Sequence, residues 1–455
     1  MTVQYYTGKE KCMIPREVFP SAKRKGAETI TVAQKPTTQG FLGFGAALTG
    51  SSCYLLSKME PQERRKLLEE LYSPKGLNLS VARLSIGASD YSAELYSYDD
   101  VPFDTALAHF SIARDEEYII PMIREVLAIR PDLYIFASPW TPPGWMKTGG
   151  ELCGGYMREQ FVECYADYFV KYVEAYAAHG ISIRAVTPQN EPGTEQSCRM
   201  PACVWHPETE GRFIKLLRQK LDAAGLPVEI WLHDHNFAGE AQVRWQLENI
   251  EGLKAAASGV AFHYYGDCIE KTLALKAAHP ELPLHFTEGG PRLYDHYDSD
   301  WCKWMLQITG ALKCGYKSFT GWNLMLDENG WPNNGPFSCG GLVTRNSITG
   351  ELSYSGQYRA FAHIAKYITP KSKIYPLESD LPTYNALHKF PKAQTLPVAG
   401  VLIDNGDDHP VLVLVNPERG PVGTTMTEGR RTQVLVNGQW WYVELLPESV
   451  ATIQF

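Results

Sequence analysis

From residue 41 to about 368 the chain alternates short apolar runs with amphipathic stretches. The apolar runs predict eight strands, at 40–48, 79–86, 133–138, 183–187, 228–233, 259–264, 284–287 and 318–324. Helical spacing fills the intervals, at 61–72, 119–130, 159–179, 208–224, 243–250, 269–278 and 301–314, with a last helix at 355–367. Within the third of these, Phe161, Tyr165, Tyr168, Phe169, Tyr172 and Val173 form a stripe that must face a core. Eight strand–helix units predict an α/β fold, a (β/α)8 TIM barrel.

After Pro370 the period changes. Short runs at 401–403, 410–415, 432–436, 440–446 and 451–455 are separated by Asn405-Gly406-Asp407-Asp408 and Asn437-Gly438, which are turn sequences. The first 35 residues also read as strand and turn, with Glu28-Thr29-Ile30-Thr31-Val32 the clearest run. The expected organisation is a barrel over 39–370 and a hairpin-rich β module over 371–455, to which strands from 1–38 are added.

Two barrel strands end on a glutamate before a Pro or Gly break. One runs into Thr187-Pro188-Gln189-Asn190-Glu191-Pro192, the other is Leu284-His285-Phe286-Thr287-Glu288-Gly289-Gly290, and the glutamates stand 97 positions apart. The C-terminal ends of barrel strands are where such folds keep their catalytic groups. Two carboxylates are the minimum set for glycosidic hydrolysis, one to protonate the leaving oxygen and one to attack or to activate water.

Composition narrows the partners. A net charge of −8 over 455 residues argues against a nucleic-acid surface and against anionic membranes. No apolar run reaches spanning length, so no stable membrane insertion is expected. Met1-Thr2-Val3-Gln4-Tyr5-Tyr6 lacks the basic and apolar regions of a secretory signal, and a cytoplasmic location is the corresponding expectation. The 11 Trp and 25 Tyr suit cores and sugar faces alike. The ten cysteines are scattered without a CxxC and read as free thiols, with a Cys198–Cys203 disulfide as the alternative.

The strand ends spell a collinear pattern: Gly43-Phe44-Gly45-Ala46-Ala47-Leu48-Thr49, Arg83-Leu84-Ser85-Ile86-Gly87-Ala88-Ser89-Asp90, Ala137-Ser138-Pro139-Trp140-Thr141-Pro142-Pro143-Gly144-Trp145-Met146-Lys147, Gln189-Asn190-Glu191-Pro192, His263-Tyr264-Tyr265, Thr287-Glu288 and Trp322-Asn323-Leu324. In this the chain resembles glycoside hydrolase family 30, the retaining β-glycosidases that include lysosomal glucosylceramidase. The resemblance implies a catalytic barrel with a small β-sandwich built from both chain ends, Glu191 as the acid/base and Glu288 as the nucleophile. It implies that Asn190 meets the sugar 2-hydroxyl, Tyr265 donates to Glu288, Asp90 and Trp140 hold outer hydroxyls, and Trp322 is the aromatic floor. His263 and Asn323 fall in the same motifs and are further candidate substrate-binding residues. For these roles Glu191 should carry a raised pKa from burial and from the charge of Glu288.

His233-Asp234-His235, with His206 and His263, looks superficially like metal chemistry, since alternate residues of one strand share a face. No HExxH or matched carboxylate cluster accompanies them, and the preferred reading is a hydrogen-bonding layer in which Asp234 or His235 reaches a sugar hydroxyl. Neither metal nor cofactor is expected. The loop Asp327-Glu328-Asn329-Gly330-Trp331-Pro332-Asn333-Asn334-Gly335 adds Trp331 near the expected substrate mouth. Asp90, Trp140 and Asp234, at three strand ends, should converge on one terminal sugar and close the pocket behind it.

The resemblance therefore implies a retaining β-D-glycosidase, first of all a β-glucosidase or glucosylceramidase-like enzyme. β-Xylosidase, β-fucosidase and β-1,6-glucanase are the alternatives within the family. Its partner would be a β-glycoside or oligosaccharide. A silent carbohydrate-binding barrel and a metal-dependent amidohydrolase-type barrel are the rivals from other classes.

Overall fold

The computed structural model describes residues 3–8, 11–378, 397–418 and 429–455. Met1 and Thr2, part of the segment read above for a leader, lie outside the described residues.

Eight parallel strands close on themselves in chain order, the eighth pairing with the first. They are Gly43–Ala47, Val81–Ser85, Tyr134–Ser138, Ile183–Val186, Glu229–Asn236, Gly259–His263, Leu284–Glu288 and Ser318–Asn323. Most of their positions are buried, because helices cover the outside and side chains fill the inside. At the N-terminal end of the barrel the filling is Val81, Phe136, Ala185, Trp231 and Ala261. Trp231 stacks on Tyr134 at 5.9 Å and on His285 at 3.7 Å. That plug leaves only the C-terminal end open for chemistry.

The helix Pro61–Tyr72 stands where the periodicity puts it, with Pro61 in its first turn and Leu67, Leu68 and Leu71 buried. The next helix begins earlier than the apolar spacing suggests, at Ala113, because its first turn is charged and solvated except for Asp115. Gly50–Ser57 was not anticipated as a helix. Its Gly-Ser-Ser-Cys start is a poor helix former, but Thr49 Oγ1 accepts from Ser52 N–H at 3.2 Å and burial supplies the rest.

The fifth strand departs most from expectation. It continues to Asn236, and its register against the sixth slips between Ala261↔His233 and Phe262↔His235. His233 (φ 76°) and Asp234 (φ 52°) carry the bulge. The simple alternation that put His233 and His235 on one face is thereby broken.

Both chain ends build a pair of sheets beside the barrel. One has the order Lys373–Pro376, Ala399–Asp404, Val411–Asn416, Ser449–Gln454, Val3–Thr7 and Ile14–Glu17. The other holds Pro20–Ser21, Gln439–Leu445, Arg430–Val436 and Glu28–Ile30. In the strand Val411–Asn416, Val411, Val413 and Val415 join the core shared with the barrel, while Leu412 and Leu414 face the second sheet. Period two with both faces apolar is what a strand between two cores requires. Barrel helix Gly356–Ile364 meets this sheet through His363, whose ring nitrogens bond Thr7 Oγ1 at 2.7 Å and Thr452 Oγ1 at 2.8 Å. Cys198 and Cys203 are both free thiols.

The long segment after the second strand, which carries Asp90, is anchored by one buried carboxylate. Asp115 accepts from the hydroxyls of Tyr96, Tyr98 and Tyr176 at 2.6, 2.6 and 2.5 Å. Asp115→Ala should leave three buried hydroxyls unpaired and destabilise the protein by about 3–5 kcal/mol, with Asp115→Asn closer to wild type. Urea denaturation midpoints check this. A loss below about 1 kcal/mol would mean that water replaces the carboxylate.

Candidate active site

Arg83, inside the second strand, is fully buried beneath the open end of the barrel. A buried guanidinium must be paired, and this one is paired several times. Nη1 donates to Glu288 Oε2, and Nη2 donates to Asp234 Oδ2 at 2.7 Å and Asn190 Oδ1 at 2.9 Å. Its planar face lies 4.9 Å from the ring of Trp140 and 5.4 Å from that of Trp322. The sequence reading quoted Arg83 within a motif but gave it no role. The available signal was a charge in the middle of an apolar strand.

Glu288 is the last residue of the seventh strand. Tyr265 stands beside it, and burial and the charge of Glu288 hold the Tyr265 hydroxyl well above the usual phenol range. The Gly289-Gly290 break has a steric reason: a Cβ on Gly290 would stand 2.8 Å from Trp322 Cβ. Only glycine lets the tryptophan come this close to the nucleophile candidate.

Glu191 follows the fourth strand with φ 51°, and its N–H donates to Asp234 O at 3.0 Å. Gln196 Nε2 donates to its Oε2. Its Oε1 faces two imidazoles, His263 Nδ1 at 3.3 Å and His235 Nδ1 at 3.4 Å. Burial raises the pKa of Glu191, but the bonds and charges of His235 and His263 outweigh it and hold the carboxyl below its usual range. This reverses the raised value expected from burial and Glu288 alone. His263 moves the other way: burial lowers it, and Glu288, Asp234 and Glu191 together push it up to about 9. In the free enzyme the proton therefore rests on His263, one contact away from Glu191. The same Nδ1 lies 3.9 Å from Glu288 Oε1, so the two carboxylates face each other across a single imidazole nitrogen.

The cavity above these groups measures about 230 Å³. Asp90, Trp140, Asn190, Glu191, His235, Tyr265, Glu288 and Trp322 all line it, as the sequence reading requires. Trp140 and Trp322 stack on each other at 5.0 Å, and Tyr91 meets Trp322 edge-on. Asn190 Oδ1 is taken by Arg83, which leaves its amide NH2 for a ligand. Asp90 is buried with Oδ1 unpaired, and burial followed by the charges of Glu288 and Glu191 pushes its pKa well up. A buried acceptor without a partner beside a cavity is what a sugar hydroxyl can satisfy.

Other candidates lie elsewhere. Asp234 is sealed under the cavity floor: Arg83 and Thr187 occupy Oδ2, and Thr287 and His263 occupy Oδ1, at 2.7–2.9 Å. It orients Arg83 and His263 and cannot reach a sugar hydroxyl. His263 is likewise beneath the wall, and Asn323 is buried with Oδ1 accepting from Thr49 Oγ1 at 2.9 Å. Trp331 is 58% exposed on the rim loop and does not line the cavity. The loop's contact with the site comes from Asn334, whose N–H donates to Asp90 O at 2.6 Å. His233 is buried, bonds Asn236 O at 3.0 Å, and burial lowers its pKa to about 3, so it remains a neutral core histidine. Gln196, Met200, Asn236, Arg292, Phe337 and Cys339 complete the lining and were missed, because they come from loops and from the bulged strand end.

A (β/α)8 barrel whose open end holds two facing carboxylates, a double-tryptophan wall and an arginine beneath them is the architecture of a glycoside hydrolase. A profile described as the Glycosyl hydrolase family 30 TIM-barrel domain matches residues 41–368, and the chain belongs to that family. The chain is 30% identical to an endo-1,6-beta-D-glucanase of Neurospora crassa, covering 74% of this chain and 73% of the relative. It is also 30% identical to the lysosomal acid glucosylceramidase of Mus musculus, covering 67% and 63%. Among solved structures, an endo-beta1,6-glucanase superposes with a TM-score of 0.84 at 27% identity, covering 100% of this chain and 99% of that one.

Two substitutions test this reading of the site. Arg83→Lys keeps the charge but not the fork, so kcat/KM should fall by at least about two orders of magnitude, roughly 3 kcal/mol, with circular dichroism unchanged. Trp322→Ala should lose about as much through the lost sugar floor. Wild-type kinetics in either variant would remove that residue from the site.

Proposed function

We propose that the protein is a retaining β-D-glucosidase that removes a terminal glucosyl unit from a primary alcohol oxygen. The observation that carries the reading is the small cavity in which Glu191, Glu288 and the unpaired Asp90 carboxyl converge beside the Trp140–Trp322 wall. The alcohol follows from what two relatives' names share: a 1,6-linked glucan and a glucosylceramide both join glucose to a CH2–O group.

Glu288, paired with Arg83, attacks the anomeric carbon. Glu191 protonates the departing oxygen, taking the proton that His263 holds 3.3 Å away. Once Glu288 is esterified, its charge no longer supports a cationic His263. Glu191 then accepts a proton from the incoming water, and the β configuration is restored.

Glu288→Gln should abolish turnover on every substrate. Glu191→Ala should still be glycosylated by aryl glycosides with good leaving groups, and azide should release it as the β-glycosyl azide. Recovery of a β-glycosyl azide from the Glu288 variant, and not from the Glu191 variant, would reverse the roles. NMR of the first product should show the β anomer, and an α anomer would end the double-displacement reading.

An endo-1,6-glucanase is the second reading, favoured by the Neurospora relative and the solved endo-glucanase. Digestion of a β-1,6-glucan separates the two. Glucose as the first product, with β-1,6 disaccharide cleaved faster than β-1,3 or β-1,4, supports the proposal; early internal oligosaccharides support the endo enzyme.

A further inference from the structure

Glu191 is also one corner of a cluster of three side chains of metal-ligating type, with His235 and His263. Its Oε1 stands 3.3 Å from His263 Nδ1 and 3.4 Å from His235 Nδ1. One donor atom from each of the three residues lies within 4.8 Å of the others. Donors bound tetrahedrally at about 2.0–2.1 Å from a zinc ion stand roughly 3.3 Å apart.

The surroundings fit as well. His263 gives Nε2 to Asp234 Oδ1 at 2.9 Å, which orients the ring with Nδ1 toward Glu191; a bound cation would displace the proton that Nδ1 carries in the free enzyme. A carboxylate behind the imidazole is the usual support of a metal-binding histidine. Asp234 is itself held by Arg83, Thr187 and Thr287. His235 Nδ1 is buried without a hydrogen bond of good geometry, 3.4 Å from Glu191 Oε1. The bulge at Asp234 brings this ring to the cavity while His233 stays in the core. Glu191 and His235 line the cavity, so a cation held here would border it. Two imidazoles and one carboxylate favour zinc-class cations over magnesium or calcium, which take oxygen ligands.

We propose that Glu191, His235 and His263 form an inhibitory binding site for a zinc-class divalent cation, which occupies the catalytic acid/base and excludes the sugar. The inhibition rests on the reading of Glu191 as acid/base, whereas the binding does not. Catalysis itself needs no such ion.

The test uses the full chain after EDTA treatment and dialysis. Titration with CoCl2 should give the visible bands of tetrahedral cobalt with nitrogen and oxygen ligands, at one equivalent, and ZnCl2 should displace them. ZnCl2 should inhibit an aryl β-glucoside competitively, with EDTA restoring the rate. His235→Asn, at the cavity wall, should weaken zinc binding at least about tenfold in calorimetry. Zinc sensitivity is scored against that variant's own metal-free rate, and Cys198→Ser should bind as the wild type does. Absence of cobalt bands, a thiolate-to-cobalt charge-transfer band, or equal zinc affinity in His235→Asn would each overturn the site. Cobalt bound through His235 in a chain that hydrolyses no aryl glycoside would sustain the site and remove the functional reading instead.

Discussion

The buried guanidinium of Arg83 is the constraint around which the rest of the site is arranged. A cation with no access to water must be compensated locally, and two carboxylates from different strands, Asp234 and Glu288, converge on it. Those contacts align the second, fifth and seventh strands at the same depth. The rings of Trp140 and Trp322 cover the guanidinium from above, so the charge also helps set the wall of the cavity. Removing one partner would leave an uncompensated buried charge, which is why the cluster acts as a unit.

From that centre the two glutamates acquire different surroundings. Glu288 receives a hydrogen bond from Arg83 and has Tyr265 beside it. Glu191 faces imidazoles and the Gln196 amide instead. Its proton supply is shared with His263, whose basicity depends on the charge of Glu288. In the proposed mechanism, esterification of Glu288 is felt at Glu191 through the imidazole that touches both, and the acid and base roles of Glu191 follow from a charge that appears and disappears beside it.

The sheets beside the barrel take part through packing. His363 and the valines of the central strand join the barrel core to a sheet that both chain ends complete. Closing the chain ends onto one another ties the first strand to the last, Val3 opposite Gln454, and keeps the helices behind the seventh and eighth strands in place.

The amino-acid sequence by itself determined the eight strand–helix units, because apolar runs and helical stripes repeat along the whole barrel. It determined both glutamates as well, since each closes an apolar run at a Pro or Gly break. Trp140, Trp322, Asn190, Tyr265 and Asp90 were legible through the motifs that the chain shares with its family. Only the tertiary structure decided what lies below the cavity and what lies beside it. Asp234 reads as a sugar ligand until its four contacts to Arg83, Thr187, Thr287 and His263 show it to be fully engaged. A one-residue bulge sends His233 into the core and His235 to the cavity, and no alternation pattern carries that information. The direction of the Glu191 pKa shift was misread for a related reason. It depends on which imidazoles stand within 3.4 Å, a property of strands brought together by barrel closure rather than of any segment.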